Sequence, residues 1–301
     1  MEPSRPGTQS FAPWLIPRDR YGLSAVIRNV GGFGIVLAFA AYLATVHTLL
    51  PWLLSPLVGL MMYRVTMVLH DCAHRTLFRS TRTNDIVGQI LGALTGVDFR
   101  CYTHQHWLHH RTFGEMRDPQ GFYYAGVGRM TSRQYLWHLA KPLLGGNLRA
   151  ALAESHLAQK NVLRNVANGQ ILIVIVVQLV LLSIVTGGGS QLGLALLPFV
   201  SGATFGLFFS QLRGIAEHVV VAGSEAGYVR SHPTHWLDRI FLYDLNFNFH
   251  AEHHAFPHVP SCHLHWMQST MRADSKDDHV GATSSMFGTL RATYKSLRAH
   301  A

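Results

Sequence analysis

Histidine is unusually frequent in this chain, with 20 residues against 16 aspartates and glutamates together. Nine of the histidines lie in short clusters: His70 and His74 in HDCAH, His106, His109 and His110 in HWLHH, His218 after Glu217, and His250, His253 and His254 in HAEHH. Helical residues three and four apart share a face, so each cluster can direct its imidazoles to a common point. Nine imidazoles exceed the needs of one four-coordinate zinc. The spacing therefore predicts a site for two metals with four or five ligands each, while imidazole by itself leaves Fe, Cu, Zn and Ni open.

Four carboxylates lie beside or near the clustered histidines. They are Asp71, Asp118, Glu217 and Glu252. An imidazole that binds a metal usually donates its other N–H to a carboxylate or a carbonyl, which fixes the orientation of the ring. Neighbouring helical positions point about 100° apart. We therefore expect each carboxylate to support a histidine of another cluster rather than to bind a metal itself.

The composition indicates what kind of protein must position these clusters. Hydrophobic residues make up 48% of the chain and charged residues only 14%, whereas an average soluble domain has roughly 25% charged residues. This balance excludes intrinsic disorder, which needs low hydrophobicity and high charge. The 3 cysteines are too few and too scattered for a disulfide scaffold. We expect an all-α integral membrane protein.

Four apolar stretches predict four transmembrane helices, since about 20 apolar residues cross the hydrocarbon core of a bilayer. They cover about residues 30–50, 57–69, 169–186 and 191–212. Short turns at 51–56 and 187–190 pair them into two hairpins. Arg64 is the one charge inside these stretches, and we expect its side chain to snorkel towards the interface.

The second and third stretches are separated by the segment with the first two histidine clusters. The second stretch continues without Gly or Pro through His70–Phe78, which predicts one long helix leaving the membrane. Asp85–Val97 is apolar but short, and we expect an interfacial or re-entrant helix there.

The polar parts of the chain follow from the same pattern. We expect an N-terminal segment, 1–28, and then one membrane domain, 29–301, whose histidine-rich helical cap comprises 70–168 and 213–301. None of the 25 lysines and arginines lies in either hairpin turn. Because basic loops stay on the cytoplasmic side, we expect both termini and the active site to be cytoplasmic, at the inner or plasma membrane if the protein is bacterial. A positive charge spread along membrane flanks argues against nucleic-acid binding.

HDCAH, HWLHH and HAEHH, in this order and at these helix ends, resemble the three histidine boxes of the membrane fatty acid desaturase superfamily, which includes related hydroxylases and carotenoid-modifying oxygenases. The flanking residues agree, notably HHRTFG from His109 and NFHAEHHAFPHVP from Asn248 to Pro260. The resemblance extends from about Met62 to Pro260. It implies a non-haem di-iron site that uses dioxygen and two external electrons on an apolar chain.

One position departs from the pattern of some animal acyl-CoA desaturases in this superfamily. They place an asparagine four residues before the histidine equivalent to His218, where it approaches one metal through water. This chain has Gly214 there. The resemblance then implies an outer ligand from elsewhere, for which Asn246 and Asn248 are the candidates.

The resemblance predicts a membrane-bound oxidoreductase that desaturates a fatty acyl chain. A hydroxylase or ketolase of the same superfamily, acting on a lipid, alkane or carotenoid, is the nearest alternative. A histidine-rich membrane metal transporter is an alternative of another class, but transporters usually place polar ligands in mid-bilayer. No cysteine cluster or Gly-rich dinucleotide loop stands out, so we expect electrons from a separate ferredoxin-like or haem protein.

Overall fold

The computed structural model describes residues 12–156, 176–177, 180, 192–219, 229–232, 236–274 and 285–299. Over these residues every regular element is a helix, and no strand forms. In chain order the α-helices are α1 (Asp19–Val46), α2 (Ser55–His74), α3 (Thr81–Thr95), α4 (Phe99–Thr112), α5 (Gly121–Tyr124), α6 (Ser132–Ala140), α7 (Leu148–His156), α8 (Leu192–Ser201), α9 (Leu207–His218), α10 (Trp236–Phe241), α11 (His250–Ala255), α12 (Leu264–Asp274) and α13 (Met286–Ala299).

Among the described residues, three helical stretches are long and apolar enough to cross a membrane. They are Asp19–Val46, Leu50–His74 and Leu194–His218. These correspond to the first, second and fourth predicted spans. The third predicted span, 169–186, lies outside the described residues apart from 176–177 and 180, so the fourth helix and the pairing into two hairpins stay predictions.

Helix α1 begins at Asp19, well before the predicted start at residue 30, and ends at Val46. Its buried residues recur every three or four positions, as expected for a helix with one packed face: Gly22, Ala25, Asn29, Phe33, Leu37, Ala40 and Ala44. Ile35 and Phe39 lie on the exposed side, which suits contact with lipid. Arg20 and Arg28 are also exposed. These charges therefore do not interrupt the helix, which is why it extends further than the apolar pattern predicted.

Helix α2 ends at His74, so the predicted continuous helix through His70–Phe78 is wrong beyond His74. Arg75 adopts the left-handed conformation with φ 59° and closes the helix. The next residues are held by the buried Asn84, whose Oδ1 accepts the backbone N–H of Leu77 at 3.2 Å and of Phe78 at 3.1 Å. The chain therefore turns back directly after the first histidine cluster, and both of its histidines lie on the last turn of a helix.

Helices α3 and α4 form a compact pair beside α2. The predicted helix over Asp85–Val97 is present as α3, and its position relative to the membrane stays a prediction. Asp98 caps α4 by accepting the backbone N–H of Arg100 at 3.0 Å. A Cβ at Gly88 would lie 2.3 Å from the ring of Phe99, so the absent side chain lets the two helices approach closely.

The last described membrane helix reaches further than the predicted end at residue 212. A π-helical segment, Gly202–Gly206, joins α8 to α9, and α9 continues to His218. The segment packs against α2, where a Cβ at Gly59 would lie 2.6 Å from the carbonyl oxygen of Ser201. Such π segments are frequent at functional sites. His218 therefore ends the helix instead of following it in a loop.

Arg64, the one charge of the second apolar stretch, is bonded within the protein, and its expected snorkelling towards the interface stays a prediction. Its guanidinium donates to Asp244 Oδ2 at 3.1 Å, to Asn29 Oδ1 at 3.1 Å and to the carbonyl of Ile240 at 2.9 Å. Asp244 also accepts from Arg28 at 2.5 Å. This network joins α1 and α2 to the segment that follows α10, and so holds the cap against the membrane helices.

Candidate metal centre

The nine clustered histidines converge from four helices. His70 and His74 lie on the last turn of α2 and His218 ends α9, while α4 and α11 each contribute three. All of them are buried except His110 and His254, which are partly exposed. The predicted helical stripes are therefore present, and they face one another.

Five of the histidines form one group, which we name the five-histidine group: His70, His74, His106, His110 and His253. One nitrogen from each lies within 4.8 Å of all the others. His106 Nε2 lies 2.8 Å from His74 Nε2 and 3.0 Å from His110 Nε2. Two nitrogens bound at right angles to one ion at about 2.1 Å would be about 3 Å apart. The group therefore has the size of a single metal site.

The other four histidines meet around His218, and we name His109, His218, His250 and His254 the four-histidine group. Two sets of ligand atoms within 4.8 Å share His218: one with His109 and His254, the other with Glu217 and His250. His250 Nε2 and His218 Nε2 lie 3.1 Å apart. The two groups adjoin, since the ring centroids of His110 and His254 are 4.4 Å apart.

The protonation of these imidazoles suits metal binding. Burial lowers the pKa of His106, His250, His253 and His254, and lowers the pKa of His110 to about 3. Burial acts in this direction because the charged form is poorly solvated. These five rings are therefore neutral at pH 7, each with a lone pair that can bind a metal.

Unpaired ring nitrogens at the centre also favour metal binding. Several buried ring nitrogens have no hydrogen-bond partner among the described residues: both nitrogens of His70, Nδ1 of His74, His110 and His218, and Nε2 of His253 and His254. Burying polar atoms without partners is costly. Metal ions bound within the two groups would satisfy the nitrogens that face inward, so the residues fit the di-iron centre that the resemblance implies.

Asp118 lies where the sequence analysis expected a supporting carboxylate. His109 Nδ1 lies 2.9 Å from Asp118 Oδ1, and both side chains are almost fully buried. Asp118 also accepts from the Tyr124 hydroxyl and from the backbone N–H of Gln120 at 2.9 Å. With Nδ1 engaged in this way, Nε2 of His109 remains to face the four-histidine group.

Two of the other three candidate carboxylates, Asp71 and Glu252, form no bond to a histidine within the described part of the chain, contrary to the expectation. Asp71 accepts from the hydroxyls of Ser261 and Thr76. Glu252 accepts from the hydroxyl of Ser231, and its Oε1 has no partner among the described residues. Both carboxylates therefore brace neighbouring segments of the cap in this structure.

Glu217 lies close enough to the clustered histidines to be a metal ligand itself, whereas we expected it only to support one of them. Its Oε2 is 3.3 Å from His250 Nε2, and it belongs to one of the sets of candidate ligands. Its Oε1 accepts from Arg213 Nε at 2.7 Å, and both side chains are buried. The arginine thus holds one oxygen and leaves the other directed at the four-histidine group.

The asparagines proposed for an outer ligand are held by backbone groups. Asn246 donates its amide to the carbonyl of Ser261 and Asn248 donates to that of His232, both at 3.1 Å. Packing explains why position 214 is a glycine, because a Cβ there would lie 2.9 Å from Cβ of Tyr123. An asparagine could enter that position only if Tyr123 moved.

A cavity of about 200 Å³ reaches both histidine groups. Its walls include Met62 and Met67 of α2 and Gly202, Gly206 and Leu207 of the π-helical segment and α9. His70 and His106 line it from the five-histidine group, and His109, His218 and His250 line it from the four-histidine group. An apolar molecule that enters between the membrane helices would therefore meet both groups.

Sequence reasoning missed two residues at this centre. Arg213 follows the apolar stretch and was counted only as a basic flank, although it is buried and bonded to Glu217. Trp107 lies inside the second cluster, and its ring centroid is 4.8 Å from that of His74. The position of Trp107 between clustered histidines was the available signal. Cys72, Cys101 and Cys262 are buried and free, as expected for residues outside a thiolate site.

Comparison with known proteins places the chain in a family. The family model described as fatty acid desaturase matches residues 47–284. A fatty acid desaturase of Bacillus subtilis (strain 168) is 35% identical over 116 residues, which cover 38% of this chain and 32% of the relative. The chain thus spans about a third of that relative's length in the match.

Two plant proteins match over a longer range. An endoplasmic reticulum omega-3 fatty acid desaturase of Vigna radiata var. radiata is 25% identical over 281 residues, covering 84% of this chain and 72% of the relative. A temperature-sensitive, chloroplastic sn-2 acyl-lipid omega-3 desaturase (ferredoxin) of Arabidopsis thaliana is 25% identical over 284 residues, covering 84% and 61%. Since the family model matches most of the chain, this protein belongs to the fatty acid desaturase family.

Proposed function

We propose that this protein is a membrane-bound, O₂-dependent oxidoreductase that removes two hydrogens from a fatty acyl chain at two irons held by the nine histidines. One observation supports the proposal: two adjoining groups of histidines line one cavity, whose walls include residues of α2, the π-helical segment and α9. The family and its relatives favour a lipid substrate.

The five-histidine group would hold one iron. The second iron would take four histidines, with Glu217 Oε2 as a fifth donor in place of the asparagine that Gly214 replaces. When bound, the irons and dioxygen would supply the oxidising power that no amino-acid side chain has against an unactivated C–H bond. Imidazole and carboxylate ligands are typical of such non-haem iron sites.

The protein's own residues position the substrate and shield the site. Met62, Met67 and Leu207 offer an apolar wall for the acyl chain. Asp118 would keep the ring of His109 in the orientation that directs Nε2 inward. Arg213 would do the same for Glu217 by holding one carboxylate oxygen. A chain seated in this cavity would present one methylene pair to both histidine groups.

The topology of the proposal follows the basic residues. Helix α1 runs antiparallel to α2, so that Gly22 meets the residues just after His74. The start of α1 and the histidine groups therefore lie at the same end of this helix pair. We propose that this end faces the cytoplasm, because the lysines and arginines avoid the turn at the other end.

Mass spectrometry of total lipids from a host that expresses the protein tests this function. We expect acyl species lighter by two hydrogens. They should disappear with His110→Ala, which removes a donor from the five-histidine group. His47→Gln is the matched control, since His47 is exposed at the far end of α1. Species heavier by one oxygen would instead support a hydroxylase, and unchanged lipids with iron-loaded protein would contradict both.

A further inference from the structure

A second, larger opening approaches the metal ligands from another direction. We name it the basic cleft; it has a volume of about 900 Å³ and is lined by Arg75, Arg79, Arg100, Trp107, His258 and His74, among others. The three arginines and His258 are exposed. Only His74 of the lining residues belongs to the five-histidine group, so the cleft touches that group at its edge.

The basic cleft and the substrate cavity use different faces of α4. Tyr102, His106 and His109 of α4 line the substrate cavity. Thr103 and Trp107 line the cleft instead, and at 100° per residue these positions lie on another side of the helix. A molecule in the cleft would therefore reach the five-histidine group without displacing the acyl chain.

A series of ring contacts leads from the cleft surface to the metal ligands. The ring centroids of His258 and Trp107 are 5.2 Å apart, and those of Trp107 and His74 are 4.8 Å apart. Trp107 also lies 5.8 Å from the ring of His110. Its indole N–H donates to the carbonyl of Ala73 at 3.4 Å, which fixes the ring. Because electron tunnelling weakens steeply with distance, such contacts favour this route over one through solvent.

The charge of the cleft indicates what binds there. Arg75, Arg79 and Arg100 face a single lining carboxylate, Asp85, which lies 3.3 Å from Arg75. The cleft therefore carries an excess of positive charge. A positive surface steers an acidic partner into place and orients it, with a strength that falls as salt rises.

We propose that the basic cleft is the docking site of a small acidic one-electron carrier of the [2Fe–2S] ferredoxin type, and that His258 and Trp107 conduct its electrons to the five-histidine group. The proposal rests on the proposed function. Each docking oxidises the carrier by one electron and forms no covalent bond in the cleft. Two such electrons, two hydrogens from the acyl chain and two protons from solvent reduce one O₂ to two waters.

Charge reversal in the cleft tests the docking site. In the full-length, iron-loaded protein in lipid nanodiscs, Arg79→Glu combined with Arg100→Glu should raise the concentration of reduced plant-type ferredoxin needed for half-maximal electron transfer by about tenfold or more at low salt. Reduction of the same variant by dithionite should match the parent. Arg133→Glu with Arg291→Glu is the control, since both arginines are exposed and neither lines the cleft.

The outcomes separate docking from function. A double variant that takes electrons from ferredoxin like the parent, with the same salt dependence, overturns the docking site. A parent protein that takes no electrons even from dithionite overturns the proposed function, and the docking proposal with it.

The relay is tested at saturating ferredoxin. Trp107→Leu should slow metal reduction by about tenfold without changing the half-saturating ferredoxin concentration, whereas Trp107→Phe should recover most of the rate because it restores a ring. Iron content is measured in both variants, so that a disturbed His74 is recognised. Equal rates for Leu and Trp at equal iron content would overturn the relay.

Discussion

The contact between Asp118 and His109 allows a sharp test of how the metal ligands are held. Asp118→Asn keeps the size of the side chain but removes its charge. In the parent, the carboxylate accepts from His109 Nδ1, from the backbone N–H of Gln120 and from the Tyr124 hydroxyl. An amide has one acceptor oxygen and one NH₂ group, so it cannot accept from all three. The ring of His109 then loses either its orientation or its charged partner.

The magnitude follows from the role of such carboxylates. Loss of an outer partner typically costs about 10–100-fold in metal affinity or activity, which corresponds to about 1.4–2.8 kcal/mol. Because His109 belongs to the four-histidine group, we expect Asp118→Asn to weaken the binding of one iron and to leave the five-histidine group loaded.

Iron titration of the purified apo-protein, with turnover measured on the same samples, checks this prediction. Glu115→Gln is the matched control, because Glu115 lies in the same loop, is exposed and pairs with the exposed Arg117 at 2.6 Å. Exposed pairs contribute little. The reasoning is refuted if Asp118→Asn binds both irons with parental affinity, or if Glu115→Gln loses as much as Asp118→Asn.

Three further predictions concern stability. Gly59→Leu should destabilise the fold by about 1–3 kcal/mol, because its Cβ would press on the carbonyl of Ser201 at 2.6 Å; a thermal unfolding assay measures the loss, and an unchanged midpoint contradicts the packing. Asp244→Asn should cost about 1.5–3 kcal/mol by removing the charged partner of Arg64, with Arg64→Met expected to relieve part of that cost. The metal-free protein should lose stability as pH falls below about 6.5. The folded pKa of His110 is about 3, so between these two pH values the unfolded chain binds more protons than the folded one. A free energy of unfolding that does not change with pH in this range would refute this.

The convergence of the histidines could be predicted from the sequence, because helical spacing and helix ends are local properties. The pair of His70 and His74 and the triplets on α4 and α11 needed only helical spacing and the positions of the apolar stretches. The family match then confirmed the resemblance that these clusters carry. The apolar stretches similarly located three of the helices among the described residues.

Partners distant in sequence could not be predicted in this way. Arg64 is hydrogen-bonded to Asp244, Asp71 to Ser261 and Glu252 to Ser231. Each contact depends on tertiary packing, which no local sequence pattern indicates. The end of α2 depends on Asn84, which braces the turn after His74 from the next helix. Arg213 and Glu217 form a helical i, i+4 pair, so that contact was visible in the spacing, but its direction towards the metal ligands was not.

The central claim is that the nine histidines hold two irons. Metal analysis of the purified, membrane-inserted protein by inductively coupled plasma mass spectrometry measures it directly. We expect two irons per chain in the parent, and a marked loss of iron in His74→Ala and in His254→Ala, which remove a donor from the five-histidine and four-histidine groups respectively. One zinc per chain, or two irons per chain in both variants with full affinity, would contradict the account.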